Sequence, residues 1–170
     1  MDELETKGLI IQETRRDFAR NTLVLIVPIN AQPHRRSFND LSNPKLKRLA
    51  IGNPKTVPAG QYTQQLLKNM NVWATLQPRL ILAEDVRQVL DYVVREEVEA
   101  GIVYASDVVI ARRKVSVAAH APEGSHDPIL YPIAVVKESR QPEVARQFIE
   151  TVLDSEGQGI LRKYGFLSAR

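Results

Sequence analysis

The chain has 170 residues, of which 44% are hydrophobic and 25% charged, a composition typical of a globular protein and not of a disordered one. Its formal net charge is +3 at pH 7, but the basic residues are interleaved with acidic ones in short clusters such as Lys45/Lys47/Arg48. This pattern favours a solvated surface over a nucleic-acid interface. The absence of cysteine excludes a disulfide framework, a thiolate zinc site and a cysteine nucleophile.

Alternating apolar runs and helical patterns predict the secondary structure in chain order. Residues 21–28 are almost continuously apolar and end at a proline, which predicts a strand buried on both faces of a mostly parallel sheet. Later patterns predict strands over 48–51, 79–82, 100–104, 114–119 (exposed or at an edge) and 131–136 (buried). They also predict helices over 59–70, 84–95, 141–153 and 157–164, with one more turn in 71–76. This order indicates an α/β sandwich whose ligands lie beyond the carboxyl ends of the strands.

Two predicted helix starts follow strand ends and could bind an anion. The turn Pro58-Ala59-Gly60 opens the first of them, and Asp85 is the predicted N-cap of the second, which leaves the Val86 N–H free to donate outward. Taken alone, the first turn favours the simpler interpretation of a tight strand-to-helix connection, and the second helix start is what favours an anion site. Tyr104, at the end of another strand, is either a phenol donor for the same ligand or a core tyrosine with its hydroxyl bonded to the backbone.

Together these groups would offer two N–H donors and one O–H donor, with no acceptor among them. Such a set selects a fully deprotonated oxyanion such as sulfate, molybdate or tungstate, because a protonated oxyanion such as phosphate needs an acceptor for its proton. The spacing of His34, His120 and His126 does not indicate a metal site, and no Ser/His/Asp grouping or carboxylate pair indicates catalysis. We therefore expect a binding protein with no cofactor and no resident metal.

The same segments resemble a known family, the molybdate- and tungstate-binding proteins of bacterial ABC transporters, which have the type II periplasmic-binding-protein fold. The resemblance is carried by residues 49–54 (LAIGNP), 57–62 (VPAGQY), 83–87 (AEDVR), 101–107 (GIVYASD), 131–136 (YPIAVV) and 164–166 (YGF). It implies that the anion accepts hydrogen bonds from the backbone N–H groups of Ala59 and Val86 and from the hydroxyl of Tyr104. These are the residues that the donor argument also selects.

The resemblance also implies a domain organisation. Residues 28–128 would form a complete ligand-binding lobe, residues 1–27 a remnant of the other lobe with a crossover strand, and residues 129–170 the return crossover strand with that lobe's C-terminal helices. The N-terminal part of that lobe, with its two serine-bearing loops, would be lacking, so we expect weak binding by the chain alone. The apolar faces at 23–27, at 133–136 and on the predicted helix with Phe148, Ile149 and Val152 would lack partners, which predicts a homo-oligomer through the exposed remnant of that lobe.

The function implied is capture of molybdate or tungstate for an ABC permease, in the periplasm or at the cell surface. The first residues carry no apolar export segment, so the chain as written is expected to stay in the cytoplasm. That expectation keeps two alternatives open, a cytosolic anion-sensing or regulatory module that reuses the binding lobe and an inactive truncated fragment.

Overall fold

The structure is a computed structural model that describes residues 1–31, 37–111 and 114–169. The described strands are β1 (Arg16–Asn21), β2 (Leu23–Pro28), β3 (Leu49–Gly52), β4 (Leu80–Ala83), β5 (Ala100–Tyr104), β6 (Val115–His120) and β7 (Ile129–Ile133). The helices are α1 (Asp2–Thr6), α2 (Pro58–Asn69), α3 (Trp73–Leu76), α4 (Val86–Val94), α5 (Ala105–Ile110), α6 (Pro142–Leu153) and α7 (Ser155–Lys163). The described part of the chain divides into two compact units, Thr22–Pro128 and Met1–Asn21 with Ile129–Arg170. The division into lobes at residues 27/28 and 128/129 stays a prediction.

The larger unit is built on a five-stranded sheet in the order β4-β3-β5-β2-β6. The strands β4, β3 and β5 are parallel neighbours, whereas β2 pairs antiparallel with both β5 and β6. The sheet is therefore mixed. Two of its strand pairs are parallel and two are antiparallel, whereas the sequence predicted a mostly parallel sheet. A strand buried on both faces is a continuous apolar run in either direction, so the apolar run in β2 did not reveal the direction of its neighbours.

Helices cover this sheet because its strands are apolar on both faces. Helix α4 contributes Val89 and Val93 to a buried cluster that also contains Val24, Ile26 and Ala50 from the strands. Strand alternation sends Leu25, Ile51 and Ile102 to the opposite face, where they are fully buried; α2, which packs on β3, adds Leu66 and Leu67 to the core. These two contacts hold the first turns of α2 and α4 at one edge of the sheet.

The smaller unit contains a two-stranded antiparallel sheet of β1 and β7, with α6 and α7 packed together. Its strands correct two predictions. The strand predicted over 21–28 forms as β2, whose residues 23–26 are fully buried, so the apolar face expected to lack a partner there is covered; β1, in a different sheet, was not predicted. The strand predicted as buried over 131–136 is β7, Ile129–Ile133, and its residues 131–133 are only half-buried.

Candidate functional site

The parallel strands bring all three predicted site residues to one edge of the larger unit. Gly52 at the end of β3 is in register with Ala83 at the end of β4, and Ala50 of β3 is in register with Gly101 of β5. Parallel strands in register end at the same edge. Helix α2, with Ala59, follows β3; helix α4, with Val86, follows β4; and Tyr104 is the last residue of β5.

The first turn of α2 is held by backbone hydrogen bonds and not by a side-chain cap. The Asn53 N–H donates to the Ala83 carbonyl at 2.8 Å, and the Val57 N–H donates to the Asn53 carbonyl at 2.8 Å. Val57 is the N-cap, in extended conformation, and its side chain makes no cap hydrogen bond. Pro58 is the first helical residue, a position that suits it because the first N–H of a helix has no internal acceptor. The N–H of Ala59, the second residue of the helix, likewise has no acceptor within the helix.

A pair of glycines fixes how closely this turn approaches the sheet. A Cβ atom on Gly60 would lie well inside van der Waals distance of the carbonyl oxygen of Gly52, and one on Gly52 would press against the side chain of Val57. Only glycine fits at residue 60, so α2 begins directly against the end of β3. Sequence reasoning missed this contact, although a glycine at a strand end and another in the following first turn are a signal for it.

The first turn of α4 is capped as predicted. Asp85 has extended φ and ψ, and its Oδ1 atom accepts from the Gln88 backbone N–H at 2.8 Å, which confirms Asp85 as the N-cap. The Gln88 side chain accepts in turn from the Glu84 N–H at 2.7 Å. This cap uses the third amide of the helix and not the first, which belongs to Val86. The half-buried Val86 side chain packs against the core cluster under α4.

The first turns of α2 and α4 share a lack of acidic side chains. Neither α2 nor α4 carries an acidic residue in its first turn. Helix N-termini carry partial positive charge, which acidic residues in the first turn commonly offset. At α4 the Asp85 carboxylate lies at the N-cap, where it accepts the Gln88 backbone N–H. The edge therefore offers positive backbone dipoles that can interact with an anion.

Tyr104 lies half-buried where β5 turns into α5. It pairs with Leu23 of β2, and its backbone N–H donates to Oδ2 of Asp107 at 3.0 Å. The next amide, that of Ala105, donates to the Thr22 carbonyl at 2.9 Å. Burial raises the pKa of Asp107, while the hydrogen bond from Tyr104 and the charge of Arg87 act in the opposite direction. Asp107 was not singled out from the sequence, although the Tyr-x-x-Asp spacing is that of a capping box.

The other sequence candidates lie elsewhere. His120 ends the edge strand β6 and His126 lies in a loop beside the Tyr62 ring, whereas His34 falls outside the described residues. Among the described residues, no group of three or more His, Asp or Glu side chains is arranged to hold a metal ion. Within the same residues, every helix is too short or too polar to cross a membrane.

Residues 1–167 match the family model of bacterial extracellular solute-binding proteins, and the chain belongs to this family. It is 36% identical over 170 residues to the molybdate-binding protein ModA of Escherichia coli and 32% identical over 169 residues to ModA of Haemophilus influenzae. Each match covers 98% of this chain, and the chain spans 65% and 66% of the lengths of these curated relatives.

Solved structures agree on the fold. The structure described as "substrate binding domain of putative molybdenum ABC transporter from Clostridium difficile" matches with a TM-score of 0.91 and 33% identity, over 100% of this chain and 73% of that one. The periplasmic molybdate-binding protein of Azotobacter vinelandii matches with a TM-score of 0.81 over 99% of this chain and 74% of that one, at 20% identity. These matches confirm the α/β type II periplasmic-binding-protein fold. The family is one of extracellular binding proteins, which confirms the expectation of a binding protein and not an enzyme.

Proposed function

We propose that this chain captures molybdate or tungstate, and that the anion accepts hydrogen bonds from the backbone N–H groups of Ala59 and Val86 and from the hydroxyl of Tyr104. The observation that carries the proposal is the convergence of three neighbouring parallel strands. Their carboxyl ends lead into two helix starts without first-turn acids and into one tyrosine, all at one edge of one sheet.

The chemistry of these donors supports an oxyanion that carries no proton. Backbone amides and a phenol hydroxyl donate without adding a full positive charge, so the anion is selected by the number and direction of its acceptors. Molybdate and tungstate are dianions with four acceptor oxygens at neutral pH, and the same donors suit both. Phosphate keeps a proton at this pH and would need an acceptor as well. The relatives from Escherichia coli and Haemophilus influenzae are named for molybdate binding, which supports the same ligand here.

The proposal extends to delivery of the bound anion to an ABC permease, in the periplasm or at the cell surface. The support is the extracellular solute-binding family, together with the Clostridium difficile relative that is described as part of a molybdenum ABC transporter. A binding protein of this kind releases its ligand unchanged, so no catalytic group is required.

We also propose that the chain self-associates through the apolar face of α6 in the smaller unit. Val144 and Phe148, four residues apart on one helix face, are 57% and 60% exposed. Exposed apolar side chains at this spacing are typical of a face that another surface covers. Sedimentation of the protein should show a dimer or larger species that Phe148→Lys reduces to the monomer and the neighbouring Gln147→Lys does not. A monomer at high concentration in the wild type would contradict this part of the proposal.

The anion site can be tested by isothermal titration of the chain with molybdate, tungstate, sulfate and phosphate. We expect heat with molybdate and tungstate and none with phosphate. Tyr104→Phe removes only the hydroxyl and should weaken molybdate binding about tenfold or more, since a hydrogen bond to a charged group contributes roughly 1.5–3 kcal/mol. Tyr92→Phe is the matched control, because Tyr92 is a half-buried tyrosine in the middle of α4, away from its first turn.

Two results would contradict the site. If no oxyanion binds to the folded wild type, the proposed function is wrong. If molybdate binds and Tyr104→Phe binds it as tightly as Tyr92→Phe does, the chain binds the anion elsewhere.

A further inference from the structure

Asp107 is a carboxylate next to the proposed anion site, and nothing in the donor set requires it. It is the third residue of α5, three positions after Tyr104, and it is half-buried. A carboxylate beside a bound dianion repels it, and burial further disfavours the charged form of Asp107. The carboxylate therefore has a cost at this place, which its position beside the Tyr104 turn would have to offset.

The contacts of Asp107 point to Tyr104. Its Oδ2 atom accepts from the Tyr104 backbone N–H at 3.0 Å, at the residue where β5 ends. The following amide, of Ala105, is held by the Thr22 carbonyl at 2.9 Å. Two consecutive amides at this turn are thus held, one by the Asp107 side chain and the other by the residue just before β2, so the backbone from which the Tyr104 side chain projects has little freedom.

The Asp107 carboxylate also interacts electrostatically with the first turn of α4. Arg87, whose positive charge acts on Asp107, directly follows Val86 in the first turn of α4. The Asp107 carboxylate therefore interacts with two of the three chain segments that carry proposed donors, one through a hydrogen bond and the other through charge. Arg87 also offsets the repulsion that Asp107 would exert on an anion.

We propose that Asp107 is a positioning residue for the anion site: its carboxylate holds the turn that starts at Tyr104 and so sets where the Tyr104 hydroxyl lies. This inference rests on the proposed function, because the hydroxyl matters only if it binds the anion. Its effect on binding is transmitted through Tyr104 and disappears when the hydroxyl is absent.

The test compares substitutions that separate shape from charge. Asp107→Asn keeps the acceptor at the same distance and removes the charge, so molybdate affinity should stay within about threefold of wild type. Asp107→Glu keeps the charge but displaces the acceptor by one methylene, and its affinity should fall about five- to twentyfold. The same substitution on the Tyr104→Phe background should cost less than about twofold, because coupled residues are not additive. Asp91→Glu on the exposed side of α4 is the matched control and should leave affinity unchanged.

A second measurement works without ligand. In the free protein, amide hydrogen exchange at Tyr104 should be faster in Asp107→Glu than in wild type or Asp107→Asn. Equal exchange in all three proteins overturns the positioning role, whether or not an anion binds. Full molybdate affinity in Asp107→Glu together with loss in Asp107→Asn also overturns the positioning role, since the charge and not the position of the acceptor would then matter. The role is likewise overturned if Asp107→Glu lowers the affinity equally with Tyr104 present and with Tyr104→Phe. A wild type that binds no oxyanion contradicts the proposed function instead.

Discussion

Substituting Val86 by proline removes one proposed donor, the backbone N–H of Val86, while leaving the fold in place. Val86 is the first residue of α4, where proline is well tolerated because the first N–H of a helix has no internal acceptor. The residue before a proline must be extended, and Asp85 already has φ −156° and ψ 175°. The Asp85 cap also survives, because it binds the Gln88 amide. The substitution therefore tests the contribution of the Val86 N–H alone, because the start of α4 that positions it is kept.

The expected loss of affinity follows from the type of hydrogen bond. A donor to a charged acceptor contributes roughly 1.5–3 kcal/mol, which corresponds to about a 10- to 150-fold increase in the molybdate Kd. Val86→Ala is the matched control, since it keeps the N–H and shortens the same side chain where it packs on the core cluster. Its Kd should stay within about threefold of wild type. The free energies of unfolding of the two variants should agree within about 1 kcal/mol.

The assay is isothermal titration with molybdate alongside urea unfolding of each variant. If Val86→Pro is folded and binds molybdate as tightly as Val86→Ala, the Val86 amide is not a donor and the reasoning from helix starts is refuted. If both variants lose affinity equally, the loss belongs to the side chain and not to the amide.

Three further predictions concern stability. Gly60→Ala should lower the free energy of unfolding by about 1–3 kcal/mol, measured by urea denaturation, because the new methyl group would overlap the Gly52 carbonyl. Arg15 holds the pKa of Asp2 below its usual range, so this ion pair stabilises the fold above the unfolded-state pKa and is lost as pH falls through the folded-state pKa. Asp2→Asn should therefore flatten the acid side of a plot of melting temperature against pH. Burial raises the pKa of Asp107, so the wild type should lose stability as pH rises through the folded-state pKa, and Asp107→Asn should lack that step in the same plot.

The helix starts were predictable because their signals are local. Proline in a first turn and an aspartate N-cap act on amides within three residues, and α2 and α4 begin at Pro58 and Val86, within two residues of the expected positions. The strand neighbours were not predictable in the same way. The apolar run in β2 reflects burial on both faces, which is equally compatible with parallel and antiparallel partners, and the break at Thr22 carries no turn residue.

The missed contacts at the candidate site are of two kinds. The close approach of Gly60 to Gly52 depends on how α2 packs on β3, which is a tertiary contact. The bond from Tyr104 to Asp107 is local and matches a known spacing, but a tyrosine is an uncommon N-cap residue and hides the pattern. The site residues themselves stay predictions. What the structure adds is their common edge, which follows from the register of β3 with β4 and β5.

The two carboxylates beside the proposed donors explain how such a site could discriminate among anions. Asp85 and Asp107 would repel any anion, but each already accepts a backbone amide, from Gln88 and Tyr104 respectively. Their remaining negative charge disfavours an anion that is held by charge alone. An anion that accepts from every proposed donor would gain more hydrogen-bond energy against this repulsion than one that has a proton in place of an acceptor. If the proposed donors bind the anion, they would select it by geometry and protonation, whereas a lysine ammonium in the same place would act as a point charge.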